Sequence, residues 1–134
     1  MSYAKQILES YPRALTVSAE MLAVTIDALN DCAQACVACA DADLAEQNVT
    51  EMIKCIRLCL DCTDVCIATV AVTSRQTFYD ASVTKPLLEV CASVCKSCGD
   101  ECERHAHMHE HCRICAEACR RCERSSRELL EAMN

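Results

Sequence analysis

The sequence predicts an all-α fold, an antiparallel four-helix bundle with a short N-terminal helix. Three observations predict it. The 134 residues include one glycine and two prolines, so turn formers are scarce, while the good helix formers Ala, Leu, Glu and Arg are abundant. The fifteen cysteines fall into four runs: Cys32, Cys36, Cys39; Cys55, Cys59, Cys62, Cys66; Cys91, Cys95, Cys98, Cys102; and Cys112, Cys115, Cys119, Cys122. Their steps of three and four residues put every thiol of a run on one helix face. That face ordinarily carries Leu, Ile and Val. Finally, the helical segments are joined by short connections, which make consecutive helices antiparallel neighbours.

The elements follow in order. A short helix over residues 3–10 ends near Pro12. The first long helix runs from about Pro12 to Ala45, with Leu22, Ile26 and Leu29 leading into Cys32. Asn48-Val49-Thr50-Glu51 has the form of a capping box and starts the second helix. That helix carries Met52, the second cysteine run and Val70, and frays from Ser74 to Asp80. Ser82 or Thr84 caps the third helix, with Pro86 in its first turn; it ends after Cys102. Residues 105–111 form the last turn, and the fourth helix continues to about Leu130.

Antiparallel neighbours place the thiols in layers. Folding about residues 46–47 sets Cys39 opposite Cys55 and Cys32 opposite Cys62. Folding about 107–108 sets Cys102 opposite Cys112 and Cys95 opposite Cys119. Folding about 79 brings Cys62 near Cys95 and Cys66 near Cys91. All four runs then share one half of the bundle. The other half holds Leu22, Ile26, Leu29, Val70, Leu87, Leu88, Leu129 and Leu130, a hydrocarbon core that closes one end. Asp43, Met52, Met108 and the histidines gather at the other.

Length and charge limit the function. A chain of this length is one domain's worth, a single four-helix-bundle domain over residues 1–134. The net charge of −7 argues against nucleic acid, which needs a basic surface. Charged residues interrupt the apolar stretches before about 18 residues, so no membrane span is expected. Residues 1–10 have neither an apolar export segment nor twin arginines, so the expected compartment is the cytoplasm. That compartment, the odd cysteine count and the scarcity of loops oppose a disulfide scaffold. With no hydrolase-type nucleophile–base pair and no nucleotide-binding loop, the expectation is a non-enzymatic protein.

A bundle lined with thiols is a container for a soft metal. Thiolate softness admits Cu(I), Zn(II) and iron–sulfur clusters. Thiolates four residues apart on a helix converge nearly linearly on one ion, which Cu(I) accepts. Zinc wants closed tetrahedra, and iron–sulfur ligands favour Gly- and Pro-punctuated loops. Charge favours the monovalent ion: about one Cu(I) per thiolate, on the order of 15, neutralises a buried tube. An iron–sulfur electron carrier or oxidoreductase subunit, and a zinc- or toxic-metal-buffering protein, are the alternatives.

The motif C-x₃-C-x₂-C, extended by x₃-C at Cys55–Cys66 and Cys91–Cys102, occurs in four runs between Ala19 and Leu130. On these residues the chain resembles the bacterial copper storage proteins, cysteine-lined four-helix bundles, in their cytosolic branch. The resemblance implies storage of many Cu(I) ions per chain, uptake at a histidine- or methionine-bearing end, and a homotetramer. A copper chaperone or copper-requiring enzyme is the expected exchange partner. One departure is Asp43, a hard ligand where the first run would place a fourth cysteine. His105 continues the face of Cys98 and Cys102, and His109 lies seven residues beyond Cys102, so these two are better metal candidates than His107 and His111. Met52 and Met108 lie on thiol faces, three and four residues before Cys55 and Cys112, where a thioether is either gap-filler or a transfer ligand.

Overall fold

All four cysteine runs fall on helices in the computed structural model, which describes residues 2–133. The helices are α1 (Ala4–Glu9), α2 (Ala19–Leu44), α3 (Ile53–Ser74), α4 (Ala81–His105) and α5 (Glu110–Ala132). Helices α2 to α5 form the antiparallel four-helix bundle. Both α2 and α4 pack against α3 and α5, so α2 lies diagonally from α4. The short helix α1 packs on α2.

Capping accounts for where the boundaries differ from expectation. Helix α2 starts at Ala19, not Pro12, because extended Ser18 caps it and its hydroxyl accepts from Met21 N at 3.2 Å. The preceding segment is a strap over the closed end. The Tyr11 hydroxyl meets Thr77 Oγ1 at 2.8 Å, and Thr16 Oγ1 donates to Gln76 Oε1 at 3.3 Å. Asn48 caps no backbone N–H; its Nδ2 donates to Glu51 Oε2 at 3.0 Å, and Val49–Met52 form a 3₁₀ turn ahead of α3. Helix α4 is capped by Asp80, not by Ser82 or Thr84. Asp80 Oδ1 accepts from the Ser82 backbone N at 2.9 Å and from its hydroxyl at 2.6 Å. Pro86 therefore lies inside α4, in the second turn, and the helix runs to His105, beyond Cys102. Phe78, in the α3–α4 connection, has φ of 52° and is 95% exposed, an unusual conformation for a bulky residue.

Gly99, the chain's single glycine, marks a close approach of α4 to α5. A Cβ there would lie 3.3 Å from Cys119 Cβ and 3.0 Å from an Arg120 guanidinium nitrogen. Arg120 crosses this point to Asp100 at 2.7 Å and Glu103 at 3.0 Å, clasping the two helices.

The closed end is as expected in most residues. Leu22, Ile26, Leu88 and Leu129 are buried together with Leu8 of α1, and Val70 and Leu130 pack against them. Leu87 is only half-buried and outside this cluster. Interspersed with the hydrocarbon are buried hydroxyls that the leucine pattern does not announce: Thr25, Thr69, Thr73, Thr84, Ser125 and Ser126. Thr25, Thr69 and Thr73 satisfy their hydroxyls on the carbonyls of Met21, Val65 and Thr69 at 3.0, 2.7 and 2.6 Å, the back-bonding that lets a hydroxyl sit dry inside a helical core.

The membrane expectation needs one correction. Ala19–Leu44 is, by length and mean hydropathy of 1.2, apolar enough to cross a membrane. Asp27 and Asp31 interrupt its apolar run, as expected, but too sparsely to fail that test. The apolar side of α2 is instead turned into the bundle, where Leu22, Ile26, Leu29 and the three thiols are buried.

Candidate metal centre

All fifteen cysteines are free and buried, and their sulfurs form one connected column. Cys66 at the deep end meets Cys91 and Cys122 at 3.9 Å. Cys62 meets Cys32 at 3.7 Å and Cys95 at 3.8 Å. In the middle, Cys36 touches Cys119 and Cys115 at 3.6 Å and Cys98 at 3.9 Å. Nearer the mouth, Cys102 lies 3.7 Å from both Cys55 and Cys59, and Cys39 lies 3.9 Å from Cys112. Of the six expected pairs, Cys32–Cys62, Cys62–Cys95 and Cys66–Cys91 are in contact, whereas Cys39–Cys55, Cys95–Cys119 and Cys102–Cys112 are not among the sulfur contacts within 4.0 Å. The α5 thiols reach both the adjacent α2, with Cys119 against Cys32 at 3.8 Å, and the diagonal α3, with Cys115 against Cys59 at 3.9 Å.

Two properties of the column decide its chemistry. First, sulfurs are shared. Cys32, Cys62, Cys36 and Cys119 form one tetrad able to hold an ion; Cys36 and Cys119 join Cys98 and Cys115 in the next, and Cys115 joins Cys39, Cys59 and Cys102 in a third. A metal–thiolate bond of about 2.3 Å lets one ion sit between sulfurs this close, and shared sulfurs mean bridged ions rather than isolated sites. Second, the buried polar and charged residues among those described include no Lys or Arg. The only counter-charges for thiolates inside are protons or metal ions.

In the metal-free state the thiols hold one another's protons. Cys62 and Cys115 accept S–H bonds from several neighbours, chiefly Cys119 and Cys102 respectively, and are held below the ordinary thiol range. Cys98 is lowered to about 6, chiefly by Cys102. Cys36 and Cys66 are pushed up, chiefly by Cys115 and by Cys122. A cation bound among these sulfurs would displace the protons they share.

The mouth is built from the α2–α3 and α4–α5 turns. Asp43, fully buried, takes the fourth position of the first run. Its Oδ1 accepts from Cys112 Sγ at 3.5 Å, and its Oδ2 has no partner among the described residues. Burial, then the neighbouring Cys55 sulfur, push its carboxyl up to about 7. His111, which face-counting ranks low, comes nearest the thiols: Nδ1 is 3.4 Å from Cys39, and 3.6 Å from Cys112 and from Asp43 Oδ1. These four residues form a further candidate ligand set.

Glu46 arranges the ring nitrogens. His111 Nε2 is 2.8 Å from Glu46 Oε2, and His109 Nδ1 is 3.0 Å from the same oxygen. The two rings stack with centroids 5.5 Å apart. Protons assigned to those carboxylate bonds leave His111 Nδ1 and His109 Nε2 as bare lone pairs, the tautomer control common beside metal sites. His109 Nε2 is buried without a partner. The His111 bond also holds Glu46 below the usual carboxylate range.

The remaining candidates divide. Met52 is fully buried beside the thiols. His105 is half-buried with Nε2 on Glu101 Oε2 at 3.0 Å. Glu101, itself buried, also takes Arg104 at 2.8 Å. Met108, expected on a thiol face, is 66% exposed, and His107 is exposed. The helix breaks at Ala106–His109, which carries both residues outward.

Comparison with known proteins gives a consistent set of relatives. Residues 18–131 match the family profile described as copper storage protein. The uncharacterized cysteine-rich protein YhjQ of Bacillus subtilis (strain 168) is 38% identical over 104 residues, 78% of this chain and 91% of that protein. The copper storage protein Ccsp from Streptomyces lividans, solved with 10 copper equivalents, is 55% identical. It superposes with a TM-score of 0.94 over 96% of this chain and 98% of that one. A structure of copper loading to a cytosolic copper storage protein from Streptomyces lividans, with five coppers, is 60% identical, with a TM-score of 0.82 over 84% of this chain and 93% of that one.

Proposed function

The chain belongs to the copper storage protein family, and on that premise we propose how it works: it takes Cu(I) in at the histidine end and holds it along the thiol column in the cytosol. The observation that carries this reading is the sharing of sulfurs between successive tetrads. Sequestration is the mechanism. Each Cu(I) displaces a thiol proton and leaves the column neutral, so loading proceeds without accumulating buried charge. The dry, closed interior keeps bound copper away from oxygen and competing ligands.

The ligands are the fifteen cysteines. His109, His111 and Met52 make the first, exchangeable contacts, because imidazole and thioether hold Cu(I) less firmly than paired thiolates. Asp43 bonds Cys112 and contributes charge at the threshold rather than softness. His105, fixed to Glu101, and exposed Met108 flank the opening. Residues 1–134 act as one storage domain without catalytic chemistry. The chain assembles as a homotetramer, as its family resemblance implies, and exchanges copper with a chaperone or a copper-requiring enzyme.

The shared, contacting sulfurs disfavour the alternatives. Isolated tetrahedral zinc would leave thiolate charge unbalanced, and sulfurs at 3.6–3.9 Å leave no space for inorganic sulfide between them. Purification under reducing conditions tests this. A colourless protein that takes up copper and displays it in elemental analysis supports storage; a brown, iron-bearing protein contradicts it.

A further inference from the structure

The mixed set at the mouth, Cys39, Asp43, His111 and Cys112, differs in kind from the all-sulfur tetrads beneath it. Cys39 and Asp43 lie one turn apart on α2, and His111 and Cys112 open α5. The four ligand atoms lie within 4.8 Å of one another, and their spacing is that of a tetrahedron about one ion. Bonds of ~2.3 Å to sulfur and ~2.0–2.2 Å to nitrogen and oxygen put two sulfurs about 3.8 Å apart. They put sulfur about 3.5–3.6 Å from nitrogen or oxygen, and nitrogen about 3.4 Å from oxygen. In the structure Cys39 Sγ and Cys112 Sγ are 3.9 Å apart, and His111 Nδ1 is 3.4 Å from the first and 3.6 Å from the second. Asp43 Oδ1 is 3.5 Å from Cys112 Sγ and 3.6 Å from His111 Nδ1. The all-sulfur tetrads have similar edges, so donor chemistry and charge decide which ion each takes. Four thiolates around a divalent ion leave two negative charges unbalanced in a dry interior. Cys39, Cys112 and Asp43 around the same ion leave one, at the edge of solvent; around Cu(I) they leave two.

We propose that these four residues form a zinc site, and that Zn(II) seated there stops the mouth of the copper-free bundle. The proposal rests on the reading of the histidine end as the copper entrance. Zn(II) takes thiolate, imidazole and carboxylate in one tetrahedron, whereas the hard carboxylate is a poor partner for Cu(I). Two further observations point to a cation. Asp43 is fully buried, yet its Oδ2 has no partner among the described residues, the kind of buried orphan that a cation satisfies. His111 Nε2 lies 2.8 Å from Glu46 Oε2, the carboxylate–histidine–metal arrangement that aims Nδ1 at the ion. An ion held from both helices pins α2 to α5 across the opening. It also engages Cys39, a sulfur that the next tetrad shares with Cys59, Cys102 and Cys115, so Cu(I) entering the column must displace it. The exchange is metal for metal: the softer ion takes the thiolates and Zn(II) leaves to solvent, with no change of oxidation state.

Zinc analysis of the reduced, metal-free chain after exposure to Zn(II) and desalting tests the site, and competition with a chromophoric chelator reads the affinity. About one Zn(II) per chain should remain. Asp43→Ala and His111→Ala should each weaken binding about tenfold or more, and Glu46→Gln about tenfold, as loss of the outer partner of a metal-bound histidine does. Cys66→Ala, at the deep end, should leave zinc affinity unchanged. The zinc-bound chain should then take up copper from a Cu(I) chelator at least several-fold more slowly than the metal-free chain, releasing its zinc as it loads. In Asp43→Ala the two rates should coincide. No retained zinc, about four Zn(II) per chain, or an affinity that survives Asp43→Ala and His111→Ala would overturn the site. Equal uptake rates with zinc bound would overturn the stopper. A chain that binds zinc as expected but saturates with copper near four ions would defeat the storage reading and leave the zinc site standing. Circular dichroism checks the fold of each variant, and Glu46→Gln, outside the ligand set, carries the decision should a ligand variant lose helicity.

Discussion

Shortening Leu29 or Leu88 to alanine separates the roles of the two ends of the bundle. Both side chains are fully buried; Leu88 sits in the hydrocarbon cluster, and Leu29 lies where that end meets the thiols. Each substitution removes three carbons, about 2.4 kcal/mol at ~0.8 kcal/mol per buried methylene. The residual cavity raises the cost into the range of about 2–5 kcal/mol. For 134 residues, an unfolding entropy of ~2.1 cal/mol/K per residue converts a loss of about 3 kcal/mol into a Tm drop of roughly 10 °C. Differential scanning calorimetry of the reduced, metal-free variants reads this drop. Stopped-flow transfer from a Cu(I) chelator then reads the uptake rate, which should equal that of the wild type. Faster uptake would mean that copper also passes through the leucine end, and an unchanged Tm would mean that this end does not hold the bundle together.

Other consequences follow from the same geometry. Replacing His109, His111 and Met52 together by alanine should slow copper uptake at least several-fold at nearly unchanged capacity, whereas His107→Ala with Met108→Ala should leave the rate alone; the same stopped-flow assay decides. Glu46→Ala should slow uptake in the same direction, because both ring tautomers depend on its carboxylate. Asp43, raised to about 7, contributes stability that is full below about pH 3.9 and lost as pH rises through 7, an effect of about 4 kcal/mol at ~1.36 kcal/mol per unit. Urea denaturation of metal-free Asp43→Asn against wild type should therefore show a difference that grows in the variant's favour from pH 4 to 7. The metal-free, reduced protein should be highly helical by circular dichroism, because leucines and buried hydroxyls order one half of the bundle without copper. A coil spectrum that becomes helical only on loading would contradict it.

Spacing is local information, and what depended on it was legible in the sequence. Steps of three and four fixed the helices, the inward face of each run and the contacts of Cys62 with Cys32 and Cys95. The same arithmetic reaches the buried hydroxyls: Thr25 lies seven before Cys32, Thr84 seven before Cys91, Thr69 three after Cys66 and Ser126 four after Cys122. Attention to leucines alone passed them over. Caps were less legible, because Asp80, Ser82 and Thr84 all offer an oxygen, and only the path of the chain selects Asp80. The mouth was hardest. Counting His105 and His109 along the face of Cys98 and Cys102 assumes an unbroken helix, but the helix ends at His105 and a new one begins at Glu110. His111 thereby starts α5 beside Cys112 and reaches across to Cys39. Its adjacency to a cysteine in a helix's first turn was the available signal.

The central claim is that ions share sulfurs along a continuous column. Anaerobic titration of the fully reduced chain with Cu(I), followed by desalting and total metal and thiol analysis, tests it most directly. Bridged loading predicts about one copper per cysteine, on the order of 15 per chain. Saturation near four would mean isolated tetrahedral sites and would contradict the account.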